Sequence, residues 1–182
     1  MLYIIRRHQR VTLALHAIPR GETLVATITI LLARLTALRV KIKRLYLDRG
    51  FYSVPVIRWL QALRIPFLMP AIIRGKGGGT RALCQGRQSY RTPYTLKSPE
   101  YGSVGCDMAV VCRYYKGRRQ RHGIQYLVFV VHRVKVALSQ LPTHYRNRFG
   151  IETSYRLKNP CRIRTTTKHP VVRLLYVALG IR

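Results

Sequence analysis

The order of apolar segments in residues 1–74 constrains the fold of this chain more than any other feature of its sequence. Strand-like segments, rich in β-branched and aromatic residues, alternate with segments whose apolar residues recur at helical spacing. The predicted order is strand (2–5), strand (11–15), helix (22–38), strand (42–48), helix (54–63) and strand (65–73). Strands that alternate with helices are typical of a sheet with helices on its faces, so the sequence predicts an α/β fold.

The ends of the two predicted helices carry residues suited to those positions. Glu22 is predicted in the first turn of the first helix, where its negative charge meets the helix dipole. Ser53 is predicted to cap the second helix, with Pro55 in its first turn. Both positions support the predicted helix boundaries.

The character of the sequence changes after Arg74. A glycine-rich basic loop precedes three strand-like segments (89–97, 105–115 and 124–133), and a basic tip joins the last two as a hairpin. A helix follows over residues 136–158, with Pro142 and Gly150 as positions of a kink or division, and Pro170 begins a last helix. We therefore divide the chain into an N-terminal part of the core (1–74), a β-rich insertion (75–133) and a C-terminal helical part of the core (134–182).

The charge balance indicates the class of partner. The chain has 34 Lys and Arg against 5 Asp and Glu, a net charge of +29. An excess of this size favours a polyanion, because each basic group at a phosphate releases condensed counterions. A membrane-surface protein and a basic ribosome-like component are alternatives. A membrane-spanning role is disfavoured, since the longest uncharged apolar-rich run (24–33) is about half of a span. No signal-peptide pattern opens the chain, so secretion is not expected.

The four cysteines contain no C-x-x-C pair and are interpreted as reduced thiols of a cytosolic protein. A zinc site built from Cys106, Cys112 and His122 is the alternative, although its spacing does not fit the common structural zinc sites.

Two of the five acidic residues are candidates for chemistry. Asp48 ends an apolar strand, and ligands of open α/β sheets bind beyond the carboxyl ends of the strands. Glu152 lies on a predicted helix face shared with Tyr145, Arg148, Tyr155, Arg156 and Asn159. The alternatives are a turn-capping role for Asp48 and an ordinary salt-bridged face for Glu152. Glu22, Glu100 and Asp107 are interpreted as helix-start or surface residues.

Carboxylates on two separate elements favour two-metal phosphoryl chemistry. In such sites carboxylates hold two Mg²⁺ ions, which activate a water or 3′-hydroxyl and stabilise the leaving oxygen. Arg148 could neutralise the scissile phosphate, and Tyr145 could bond or stack beside it. Two carboxylates are usually too few, so a third is expected.

The segments "LYLDRGFY" and "YRNRFGIETSYRLKN" resemble the two C-terminal catalytic blocks of insertion-sequence DDE transposases. Within these RNase H-like enzymes, the chain resembles the group with a β-strand insertion before the glutamate helix. The resemblance implies that Asp48 and Glu152 are catalytic ligands of a Mg²⁺ or Mn²⁺ pair, and that Tyr145 and Arg148 contact DNA phosphate. Further candidate DNA contacts are Arg156, Lys158, Arg162 and Arg164. The family places a lysine seven positions after the glutamate, where this chain has Asn159, and Lys158 lies one position early.

The start of the chain departs from this family pattern. In the RNase H-like fold the first acid lies on the first strand, and counting back from Asp48 places Met1 inside or just before the second strand. No Asp or Glu precedes Glu22 to replace that acid. We therefore expect an RNase H-like mixed sheet that lacks its first strand, and little or no transposase activity.

The expected partner is DNA at the ends of a mobile element, in the cytoplasm and associated with the nucleoid, with a homodimer as one compatible assembly. The first alternative is a non-catalytic basic DNA-binding remnant of such an element. Metal dependence discriminates the two, since phosphate binding through Arg and Lys needs no Mg²⁺. A decayed reading frame without a function is the third reading, and it predicts poor solubility.

Overall fold

A computed structural model gives the fold and describes residues 2–6, 9–116, 122–146, 148 and 166–179. The chain divides into two compact units. One contains Ile42–Tyr145, and the other combines Met1–Lys41 with Arg146–Arg182. No helix among the described residues is long and apolar enough to cross a membrane.

The unit Ile42–Tyr145 contains a five-stranded mixed sheet and two helices. The strands are β3 (Leu45–Tyr46), β4 (Phe67–Pro70), β5 (Tyr90–Ser98), β6 (Gly102–Lys116) and β7 (His122–His132). Their spatial order is β3-β4-β7-β6-β5, with β3 parallel to β4 and all other neighbours antiparallel. The helices are α2 (Val54–Ala62) and α3 (Leu141–Arg146).

Both faces of this sheet are covered, which explains the nearly continuous apolar run of β6. Ala109 and Val111 of β6 belong to a core cluster with Leu141 and Tyr145 of α3. Met108, whose side chain points to the opposite face, is also fully buried. On that side α2 packs against β5 and β6. Strands buried on both faces lose the apolar–polar alternation of half-exposed strands.

Among its described residues, the other unit contains an antiparallel hairpin and two helices. The hairpin pairs β1 (Leu2–Arg6) with β2 (Gln9–Ala14). The helices are α1 (Leu24–Ala37) and α4 (Pro170–Leu179). Thr23 caps α1, and its side chain accepts a hydrogen bond from the Ala26 backbone N–H at 3.1 Å. The buried face of α1 repeats at helical spacing through Ile28, Leu31, Leu32 and Leu35.

The structure confirms the predicted α/β class, the N-terminal hairpin and the hairpin of β6 and β7. Of the strand predicted over 42–48, only Leu45–Tyr46 form β3, and the Leu47 N–H adds one further backbone bond to Leu68. The strands of the predicted insertion (75–133) continue the sheet of β3 and β4. Their interpretation as an insertion, and with it the three-part division of the chain, stays a prediction.

Three local predictions differ in part from the structure. Glu22 precedes α1 instead of lying in its first turn, and Thr23 is the capping residue. Ser53 occupies the cap position of α2 without a side-chain capping hydrogen bond. The helix predicted from residue 136 begins at Leu141, after a 3₁₀ turn over Leu138–Gln140.

Candidate metal and DNA site at the end of β3

Asp48 lies at the carboxyl end of the β3 segment and is exposed. Leu47 before it is buried, and its N–H donates to the carbonyl of Leu68 at 3.1 Å, which continues the pairing with β4. Asp48 then caps the 3₁₀ helix Arg49–Phe51, with Oδ1 accepting from the Arg49 N–H at 2.7 Å. Asp48 therefore both follows the end of the strand and caps the turn after it, so the two interpretations of its position are compatible.

Tyr145 opens the second motif, "YRNRFGIETSYRLKN", and links it to the strand of the first motif, "LYLDRGFY". Its side chain is 6% exposed and packs in the core cluster, with its ring centroid 5.5 Å from that of Phe129. Its hydroxyl donates to the carbonyl of Leu47 at 3.2 Å. The residue before Asp48 is therefore held directly by the helix that opens the second motif. The predicted phosphate contact of Tyr145 stays a prediction.

A second connection between β3 and α3 was missed by the sequence analysis. Arg44 Nη1 donates to the Tyr46 hydroxyl at 3.0 Å and lies 3.2 Å from His144 Nδ1. Because a guanidinium group only donates, His144 Nδ1 is the acceptor and the ring proton is on Nε2. No local signal identifies this contact, since its partners are 100 residues apart in the sequence.

The remaining predicted site residues fall in the other unit or outside the described residues. Arg148 is half-buried and belongs to the unit of Arg146–Arg182. Five predicted residues lie outside the described part of the chain: Glu152, Arg156, Lys158, Arg162 and Arg164. Within the described ranges, no three His, Cys, Asp or Glu residues form a group suited to a metal ion.

The other three acidic residues have ordinary surroundings. Glu22 accepts a hydrogen bond from the Thr27 hydroxyl at 2.6 Å and pairs with His16 Nε2 at 2.8 Å. These two contacts, the Thr27 bond first, lower the pKa of Glu22. Glu100 and Asp107 are exposed. Asp107 lies on β6, an interior strand of the sheet, with its side chain exposed as predicted for a surface residue.

The donor type and exposure of Asp48 suit a hard cation, because Mg²⁺ prefers carboxylate and water oxygens. The zinc alternative does not fit the strand geometry. Cys106 and Cys112 both lie on β6, and six extended residues place them about 20 Å apart, too far to share one ion.

Comparison with known families gives a match over most of the chain. A family model described as a transposase DDE domain matches residues 10–173 of this 182-residue chain. Comparison with curated proteins gives no match. The mixed sheet with flanking helices is consistent with the RNase H-like fold of DDE transposases.

Proposed function

Because the chain belongs to the transposase DDE domain family, we propose that it acts in DNA transposition by metal-dependent phosphoryl transfer. In this proposal Asp48 and Glu152 are metal ligands. The observation that carries it is the hydrogen bond from Tyr145 to Leu47, since it brings the start of the second motif to the end of β3. Ligands of open α/β sheets bind beyond the carboxyl ends of the strands, and the end of β3 is such a position.

The protein groups have separate roles in this chemistry. The carboxylates of Asp48 and Glu152 would hold Mg²⁺ or Mn²⁺, and the bound ion would supply activation of a water or 3′-hydroxyl for attack on phosphorus. Tyr145 fixes the backbone just before Asp48, so the carboxylate keeps its position at the strand end. Arg148 would neutralise charge on the scissile phosphate. The 3′-oxygen leaves as the bond from the attacking oxygen to phosphorus forms.

We further propose that this 182-residue chain by itself cleaves DNA weakly. Two carboxylates rarely suffice to position two divalent ions, and the sequence has no Asp or Glu before Glu22. Binding is therefore a better first readout than turnover.

Titration with Mn²⁺, followed by water-proton relaxation, tests the ligand assignment. Asp48→Asn and Glu152→Gln should each weaken Mn²⁺ binding about tenfold or more, because each removes a charged ligand. Glu100→Gln is the matched control, since Glu100 is exposed in the turn between β5 and β6 and should leave binding unchanged. Equal Mn²⁺ affinity in all three variants would overturn the proposal.

The remaining proposals concern the partners, and the DNA contacts among them follow from charge. The basic residues Arg156, Lys158, Arg162 and Arg164 would contact backbone phosphates of element ends, in the nucleoid, with two copies of the chain acting as a homodimer. Sedimentation with and without a DNA duplex tests the homodimer.

The second candidate function is non-catalytic DNA binding, which the net charge of +29 favours. It predicts duplex binding that is the same in EDTA and in Mg²⁺, falls steeply with salt and is unaffected by Asp48→Asn. The first candidate predicts that Asp48→Asn removes a Mg²⁺-dependent part of the binding.

A further inference from the structure

Strands β6 and β7 continue beyond the rest of their sheet as a two-stranded ribbon. β5 begins opposite Val110 of β6, and β4 ends opposite Phe129 of β7. Among the described residues, the pairs formed by 112–116 with 122–126 therefore have no third strand beside them. At about 3.4 Å per residue, this ribbon is about 17 Å long.

One face of the ribbon is bonded to the chain segment that precedes β5. The Tyr114 hydroxyl donates to the Arg87 carbonyl at 2.9 Å, and the Tyr126 hydroxyl donates to the Gly86 carbonyl. An isolated two-stranded ribbon is only marginally stable in water, so these bonds add support that the sheet does not give. They hold the ribbon from one side and use none of the side chains on its other face.

That other face carries Arg113, Tyr115 and Gln125, because side chains alternate along each strand. Tyr115 is 53% exposed, Gln125 is exposed and Arg113 is half-buried. The Tyr115 ring lies over Gly123, where a Cβ would come within 2.5 Å of it. The side chains of Arg113, Tyr115 and Gln125 make no hydrogen bond or ion pair with any other residue that the structure describes. Their polar groups are therefore available to a partner.

The charge on this face is not compensated by nearby acids on the same strands. Asp107 is the one acidic residue of β6 and β7, and it lies six positions before Arg113, about 20 Å along the strand. From residue 108 to residue 151 the sequence contains no Asp or Glu. An uncompensated cation beside exposed hydroxyl and amide groups favours a polyanion.

The ribbon projects from the end of the sheet at which Asp48 lies. β3 is parallel to β4, and β7 is antiparallel to both β4 and β6, so β3 and β6 run in the same direction. Three strand spacings separate β3 from β6, about 14 Å in all. This separation is close to the width of a DNA major groove, about 12 Å, so one duplex can reach both strands.

We propose that this face of the ribbon is a contact surface for duplex DNA, with Arg113 at a backbone phosphate and Tyr115 and Gln125 along a groove. A two-stranded β-ribbon fits the major groove, and the arginine fork matches phosphate oxygens. The inference rests on the proposed function only in taking DNA as the partner. It uses neither Asp48 nor Glu152 and needs no metal, so either proposal can fail without the other.

The test is fluorescence anisotropy of the full chain in EDTA, with a labelled duplex and with one of its single strands. Arg113→Gln and Tyr115→Ala should each weaken duplex binding about fivefold or more. Arg113→Gln should also reduce the slope of log K against log salt by about 1, because one phosphate contact is lost. The matched controls are Lys97→Gln and Tyr101→Ala, at exposed positions towards the opposite end of the sheet.

Arg113→Lys separates the phosphate contact from an effect on folding. It keeps the charge, so it should restore most of the affinity and the salt slope that Arg113→Gln loses. A duplex loss larger than that of the controls, restored by Arg113→Lys, supports the ribbon as a DNA contact. Losses no larger than those of the controls, losses confined to the single strand, or an equal loss in Arg113→Lys would overturn the proposal.

Discussion

The hydroxyl of Tyr145 donates a hydrogen bond of 3.2 Å to the carbonyl of Leu47, across 98 residues of sequence. Leu47 directly precedes Asp48, so a side chain at the start of the second motif holds the backbone of the first. The contact is buried, where water does not compete for the carbonyl.

Replacing Tyr145 by Phe tests the contribution of this bond. The substitution keeps the ring packing against Phe129 and removes the donor to a buried carbonyl, so it should lower the free energy of unfolding by about 1–3 kcal/mol. Urea unfolding measures the difference. Tyr115→Phe is the control, since Tyr115 is 53% exposed. Equal destabilisation by the two changes would contradict the assigned bond.

Leu141→Ala tests the packing of α3 on the sheet. Leu141 is fully buried in the cluster that includes Val111 and Phe129, so its truncation should cost about 2–5 kcal/mol. Leu63→Ala, at a side chain that is 52% exposed, should cost about 0.5 kcal/mol or less. Denaturant midpoints of the two variants give the comparison, and similar midpoints would show that α3 does not pack as described.

The half-buried His132 of β7 predicts a dependence of stability on pH. Burial, with a smaller effect from Arg133, lowers the pKa of His132 below its ordinary value of 6.5, while Asp107 opposes the shift. The unfolded chain therefore binds more protons just below that value, so stability is full above pH 6.5 and falls as the pH drops towards the folded pKa. His132→Phe should reduce this dependence in thermal unfolding scans. His169→Gln, at an exposed position, should retain it, and an unchanged profile in His132→Phe would refute the assignment.

Two glycines of one loop form a matched pair. Gly75 has φ 102° and no room for a Cβ, whereas a Cβ at Gly77 meets open space. Gly75→Ala should destabilise by more than about 1 kcal/mol, and Gly77→Ala should be neutral or slightly stabilising. Differential scanning calorimetry measures both, and a neutral Gly75→Ala would mean that the loop adopts another shape.

Salt dependence tests the basic segment after Lys158. If Arg162 and Arg164 each contact a phosphate, replacing both by Gln should reduce the slope of log K against log salt by about 2. Fluorescence anisotropy with a labelled duplex between about 50 and 200 mM salt gives that slope. The control pair Arg20→Gln and Lys41→Gln is exposed and should leave the slope unchanged. Equal slopes for the two double variants would mean that binding depends on the overall charge of the chain and not on Arg162 and Arg164.

The sequence by itself predicted the elements that depend on near neighbours. Strands β6 and β7 follow from two apolar runs joined by a basic tip, and α2 follows from Ser53, Pro55 and apolar spacing. The strand-end position of Asp48 was predicted for the same reason, since its signal is a carboxylate placed directly after an apolar strand. Short-range sterics and side-chain periodicity decide these features.

Only the tertiary structure decided which elements meet. The order β3-β4-β7-β6-β5 and the bonds of Tyr145 and Arg44 join residues far apart in the chain, and no local pattern encodes them. The start of α3 is a further case. Residues 134–137 are not helical, because Val134 is buried in the core and Arg91 Nη2 donates to the Val136 carbonyl at 2.8 Å. These long-range contacts replace the helical hydrogen bonds that the segment lacks. They exist only once the sheet is assembled.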